Sequence, residues 1–209
     1  MGTVSGLLAI ARGELGAVES PAGSNRTKYG KWIGLDGQPW CMSFVQWCCA
    51  QAGEPLPYRT GSCSALLNWY RKNRPEQIVP DPRPGDIIIY NFGHTGILES
   101  ADAGTVTAIE GNTSTGEAGS QNNGGGVYRR TRRKTLVTAY IRLFEEDTMT
   151  GKEIYDALQS YLAQQSVPEW AQAEFQEAVA LGITDGSGPM ELIPRYQAAI
   201  MAKRVKDAD

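Results

Sequence analysis

Two side chains in this sequence can carry nucleophilic chemistry together: a cysteine at position 41 and the chain's one histidine, His94. A cysteine nucleophile needs a base within hydrogen-bond reach, and the base needs a third group to orient it. Two candidates for that group return to the neighbourhood of His94, the carboxylate Glu110 and the carboxamide Asn112. Such a group holds the imidazole tautomer and stabilises imidazolium. Each residue also has a plainer reading. Free cysteine usually packs as a small buried hydrophobe, and Cys48, Cys49 and Cys63 read that way. A lone histidine is often a satisfied core or surface residue, Glu110 a solvated strand charge and Asn112 a turn residue.

The element that must position Cys41 is the stretch from Gly37 to Gly53, a loop turning straight into a helix. Pro39 suits a helix entry, and Gly53 suits the residue after the last turn. Cys41, Val45, Cys48 and Ala52 share one face at helical spacing. A thiol in the first turn feels unpaired N–H groups and the positive end of the helix dipole, and both favour thiolate.

His94 opens the strand His94–Ser100, flanked by Gly93 and Gly96, which leave room for close approach. After the turn Ala101–Gly104, the segment Thr105–Asn112 returns as the second arm of an antiparallel hairpin. Glu110 and Asn112 share one of its faces. A strict four-residue loop pairs His94 with Gly111. A one-residue slip or a bulge pairs it with Glu110 or Asn112 and puts them on its face. The register stays open at this point.

Other elements follow by the same rules. Residues 4–17 have helical apolar spacing. Residues 18–37 read as a long loop in which Tyr29 and Trp32 either line a groove or pin the loop to the core. Ser62 is an N-cap for a helix over about residues 63–73, with Leu66, Leu67 and Tyr70 inward. Residues 74–84 are irregular, and Arg83–Asp86 is a turn before the apolar strand Ile87–Tyr90. Residues 113–126 form a Gly/Ser/Asn loop. Val127–Lys134 is a basic edge that either meets an anionic polymer or is a charged, solvated edge strand. Leu136–Leu143 closes the sheet.

The 209 residues, 41% hydrophobic, suffice for one core plus a small appendage. The net charge of −3 argues against nucleic-acid binding. Charge is uneven: residues 1–149 carry net +1 and residues 150–209 net −4, which supports a boundary near Thr150. Four cysteines make no disulfide framework, and a single histidine without a CxxC pair argues against a zinc site. The N-terminus shows no basic region followed by an apolar core, so no secretory signal is expected. No run reaches bilayer-spanning length.

The ordered set Gln38-Pro39-Trp40-Cys41 with Phe44-Val45, then Arg83-Pro84-Gly85-Asp86, Gly93-His94-Thr95-Gly96-Ile97 and Glu110-Gly111-Asn112 resembles the CHAP domain. That is the cysteine, histidine-dependent amidohydrolase/peptidase family within the papain-like NlpC/P60 superfamily. The resemblance covers about residues 1–145. It implies an α+β, papain-like fold, with N-terminal helices packed on an antiparallel sheet. It implies peptidoglycan as substrate, cut at the N-acetylmuramoyl–L-alanine bond or within the peptide stem or cross-bridge, as in phage endolysins. On matching positions it makes Cys41 the nucleophile, His94 the base and then acid, and Glu110 or Asn112 the orienting group. The Cys41 N–H and the Gln38 side chain become oxyanion donors. Apart from the resemblance, Tyr29 and Trp40 are candidate groove residues. Some members bind calcium through several aspartates before the cysteine. Here the loop just before Cys41 offers one aspartate, Asp36, so no metal or other cofactor is expected. Action at the bacterial wall after release from the host cytoplasm fits a chain without a signal. A non-catalytic wall-binding protein on an idle papain-like fold is the alternative, and a cytosolic papain-like transferase or isopeptidase a third reading.

Residues 146–150 read as a linker and 151–209 as a small all-α module. Capping boxes at Thr150–Glu153 and Ser166–Glu169 open helices over about residues 151–165 and 167–181, and Pro194 opens a third to about Val205. Trp170, Phe175, Ala178, Val179, Ile183, Tyr196, Ala199 and Ile200 are its candidate core. Trp170-Ala171, Ala178-Val179, Gly182-Ile183, Asp185-Gly186 and Pro194-Arg195 resemble a single S-layer-homology repeat. The resemblance implies binding to a secondary cell-wall polymer. Dimerisation or bracing of the catalytic domain are the other roles for such a module.

Overall fold

The computed structural model describes residues 2–116, 120, 123–144, 151–184 and 203. Thr3 opens the first helix by accepting the Gly6 N–H, and α1 runs Val4–Gly13 with Leu7, Leu8 and Ala11 buried. It ends before the expected residue 17, because the chain turns at Gly16 with φ 85°. The expected loop over residues 18–37 contains a short helix, α2 (Lys28–Ile33). The Thr27 hydroxyl caps Gly30 N–H, and Gly34 in the left-handed conformation ends it. A single N-cap threonine in a Gly-rich stretch is a weak sequence signal for so short a helix.

Helix α3 (Cys41–Gln51) starts on Cys41 and is followed by Gly53 at φ 82°. More than one face is buried: Cys41 to Gln46, Cys48 and Cys49 are all inside. The helix is central, so a one-face reading understates its burial. Helix α4 (Cys63–Asn73) begins at the Ser62 cap and buries Leu66, Leu67 and Tyr70.

The strands are β1 (Ile78–Val79), β2 (Ile87–Tyr90), β3 (Thr95–Ala101), β4 (Thr105–Thr113), β5 (Gly126–Arg133) and β6 (Val137–Ile141). They form one antiparallel sheet in the order β1-β6-β2-β3-β4-β5. The region expected as irregular thus supplies β1, paired to β6. Helices α1 to α4 share a core with the helix-facing strand residues Ile87, Ile89, Ile97, Ile109 and Ile141. A second cluster, Ile88, Tyr90, Leu98, Val106, Ala108 and Tyr140, gathers the alternate residues of those strands. The architecture is α+β, helices against an antiparallel sheet. The Arg83–Asp86 turn is secured by Asp86, buried, which accepts Arg83 N–H at 2.7 Å and a forked pair from Arg142 at 2.9 and 2.8 Å.

The chain divides into two compact units, Met1–Asp147 and Thr148–Asp209. In the second, α5 spans Gly151–Leu162 and α6 spans Gln172–Ala180. A short 3-10 turn at Glu169–Ala171 precedes α6, and Pro168 stands at its N-cap with no side-chain cap. The Ser166–Glu169 capping box therefore does not form. Trp170 and Ile183, expected in a core, are 82% and 64% exposed. The expected third helix, with Tyr196, Ala199 and Ile200, lies outside the described residues, as do Thr150, Asp185-Gly186 and Pro194-Arg195. No described helix is long and apolar enough to cross a membrane.

Candidate active site

The hairpin β3–β4 sets the site. Ile97 pairs with Ile109 and Leu98 with Ala108, but Ser100 pairs with Thr107, so Glu99 is the extra residue of a bulge. Continuing the Ile97 register brings His94 level with Asn112, the bulged alternative rather than the strict loop. By alternation His94, Gly96 and Leu98 share a face with Val106, Ala108 and Glu110. The Glu110 side chain crosses Gly96 to reach the ring: a Cβ at Gly96 would lie 2.7 Å from Glu110 Cγ.

His94 and Glu110 are both fully buried, and His94 Nε2 lies 3.0 Å from Glu110 Oε2. Asn112 is also buried, with a left-handed φ of 58°, but the contact on Nε2 belongs to Glu110. With Nε2 engaged, Nδ1 is the nitrogen left for the thiol. It is buried and makes no hydrogen bond of ordinary geometry among the described residues. Cys41 stands at the first position of α3, 4% exposed. The sulfur and the ring lie close enough for each charge to steer the other.

The electrostatics favour thiolate and imidazolium. Cys41 is held well below the ordinary thiol range, first by a hydrogen bond from Cys63, then by His94 and the Met42 N–H, against the cost of burial. Burial alone would push His94 down, but the Cys41 sulfur and the Glu110 carboxylate outweigh it and raise the imidazole to about 9. Cys63 lies with its sulfur 3.9 Å from that of Cys41. Its thiol is pushed up, by that same bond and by burial, so it keeps its proton and donates it. In the linear sequence Cys63 reads as an inert, buried cysteine. That reading suits Cys49, which burial pushes up to about 12.

The remaining candidates sit differently. Gln38 is exposed, beside the start of α3. Tyr29 and Trp40 are buried and stacked with ring centroids 5.4 Å apart, so they underlie the surface rather than forming an open groove wall. Tyr29 also borders a hollow of about 380 Å³ with Arg26, Lys28 and Lys31. A second hollow, of about 280 Å³, touches the site through Cys63, Tyr90 and Gly93. Asp36 accepts the Thr27 N–H at 3.2 Å. Among the described residues no group of three or more His, Cys, Asp or Glu is placed to hold a metal ion. The expected basic edge β5 divides: Arg129 pairs with Glu99, while Arg132 turns inward and grips Glu110.

Residues 33–112 match the CHAP domain family. Among solved structures, the chain is similar to the wild-type endolysin LysIME-EF1, at 20% identity over 70% of this chain and 67% of that one, with a TM-score of 0.47. No curated protein matches the chain.

Proposed function

We propose that this chain is a peptidoglycan hydrolase that cuts an amide bond through a cysteine thiolate. The CHAP match over residues 33–112 supports the substrate class, and it contains Cys41, His94, Glu110 and Asn112. The observation that carries the mechanism is the buried contact of His94 with Glu110 at 3.0 Å, beside a thiol already driven towards thiolate. The Cys41 sulfur attacks the amide carbonyl, and the C–N bond breaks as imidazolium gives its proton to the departing amine. Water, deprotonated by neutral His94, then opens the thioester and frees the acid and the Cys41 thiolate, with His94 left as imidazolium. Glu110, rather than Asn112, orients the ring and balances its charge. The Cys41 N–H, at the open start of α3, and the Gln38 side chain stabilise the oxyanion.

The bond is N-acetylmuramoyl–L-alanine or a peptide bond of the stem or cross-bridge. The C-terminal unit holds the enzyme at the wall, the role its S-layer-homology resemblance implies. The enzyme acts after release from the cell that makes it. Clearance of purified walls by wild type, with a loss of about a thousandfold or more in Cys41→Ala, is the expected result. Mass spectrometry of the released fragments identifies the bond. Undiminished clearance by Cys41→Ala would refute the mechanism, and a wild type that binds walls without releasing fragments would make the chain a wall-binding protein.

A further inference from the structure

Arg132 lies beyond the stretch that matches the CHAP domain, on the edge strand β5, yet it is only 8% exposed. Its guanidinium forks onto both oxygens of Glu110, Nε to Oε1 at 2.8 Å and Nη2 to Oε2 at 2.6 Å. The same group lies over the rings of Tyr90 and Phe92, 5.4 and 5.2 Å from their centroids. Those two rings stack in turn on His94, at 6.0 and 5.8 Å and within 16° of parallel. One cation thus fixes the carboxylate that meets Nε2 and the aromatic stack that holds the imidazole plane.

We propose that Arg132 is a positioning residue for the Cys41–His94 pair, clamping Glu110 as an ionised acceptor aimed at His94 Nε2 throughout the proton cycle. The inference deepens the hydrolase reading above and rests on it. A buried carboxylate facing only an imidazole tends to take the ring's proton, because both groups are then neutral. A guanidinium is always charged and cannot be neutralised, so it keeps that proton on the ring. The titratable and charged groups gathered here are Cys41 on α3, Cys63 on α4, Tyr90 on β2, His94, Glu110 on β4 and Arg132 on β5. With thiolate and imidazolium formed, their charges cancel. Without Arg132 the buried site carries a net negative charge. Glu110 illustrates the balance: burial pushes its carboxyl up, and Arg132 followed by His94 more than reverse it.

The test uses the full chain and no wall substrate. Iodoacetate alkylates Cys41, displacing iodide, and the modified peptide is quantified by mass spectrometry across pH. The rate rises as the thiolate forms and falls as the imidazolium that draws the anion loses its proton. Arg132→Met removes a positive charge, so both limbs are expected to move up by about one pH unit. Arg132→Lys keeps the charge, and its limbs should return to the wild-type positions at a lower maximum rate. Glu110→Gln should move both limbs the other way. A folded Arg132→Met protein whose limbs stay in place, however slow it is, would overturn the proposal and leave Arg132 a brace. If that variant does not fold, Glu110→Gln and Glu110→Gln/Arg132→Met decide. With the carboxylate gone, losing Arg132 should lower the maximum alkylation rate by no more than about twofold further, and a tenfold further loss of that maximum would overturn the proposal. Alkylation as expected from a chain that leaves walls intact would refute the hydrolase reading alone.

Discussion

Cys41 and Cys63 divide one proton between sulfurs 3.9 Å apart, and the division is unequal for a local reason. Cys41 has the Met42 N–H and the His94 imidazole beside it, whereas Cys63 gains little but burial and the neighbouring thiolate. Proton and donor role therefore fall to Cys63. Cys63→Ala removes the S–H donor, so the acid limb of the activity profile should move to higher pH. The alkaline limb should stay near pH 9, because His94 keeps its imidazolium until about that value. Rates of wall clearance measured from pH 4 to 10 check both limbs, and an unmoved acid limb would remove Cys63 from the mechanism. Nothing in the linear pattern around Cys63 announces this. It follows the Ser62 cap at the start of its own helix, and only the fold brings the first residues of α3 and α4 together. Arg132 was hidden in a similar way. It stands in a run of cations that reads as solvated, and alternation puts Arg130 on the same face, so only the place of Glu110 singles out Arg132.

Helix α3 reaches the sheet because Gly111 lets it. A Cβ there would sit 2.6 Å from Phe44 Cβ and 2.9 Å from the Trp40 ring. Contacts that short force the helix to retreat, and Trp40 is the residue that precedes Cys41. Gly111→Ala should cost roughly 1–3 kcal/mol of stability. It should cut activity more than that figure suggests, on the order of 100-fold, because small displacements of a reacting atom are costly. Gly104→Ala is the matched control: nothing lies within 4 Å of its added Cβ, and both quantities should stay near wild type. Thermal denaturation and wall clearance read the two effects. Most of the elements around this contact were legible, since α3, α4, β2 and the β3–β4 arms follow from caps, glycines and β-branched runs. The register was not, because it hangs on the bulge at Glu99. That residue joins Arg12 at 2.7 Å and also pairs with Arg129, a convergence of three distant segments that no local pattern encodes.

At the scale of the whole chain, every group assigned to the chemistry falls between Gln38 and Arg132, inside the first compact unit. The second unit differs in kind. Its described apolar side chains are largely uncovered, with Tyr155, Tyr161 and Trp170 at 49%, 60% and 82% exposure, where the sequence led us to expect a small core around Trp170. Helical periodicity identifies an apolar stripe without saying what covers it. The same stretch carries net charge −4 against +1 for residues 1–149, so the two parts should respond differently to salt. Deleting residues 148–209 is expected to leave the pH profile of Cys41 alkylation in place, within about 0.2 pH units, because every charged group assigned to the site belongs to the first unit. Adsorption to purified walls, measured by co-sedimentation, is expected to fall several-fold. A shifted alkylation profile would mean that the second unit takes part in the site. Full adsorption by the shortened chain would assign wall binding to the first unit, and the exposed face around Trp170 would then need a different partner.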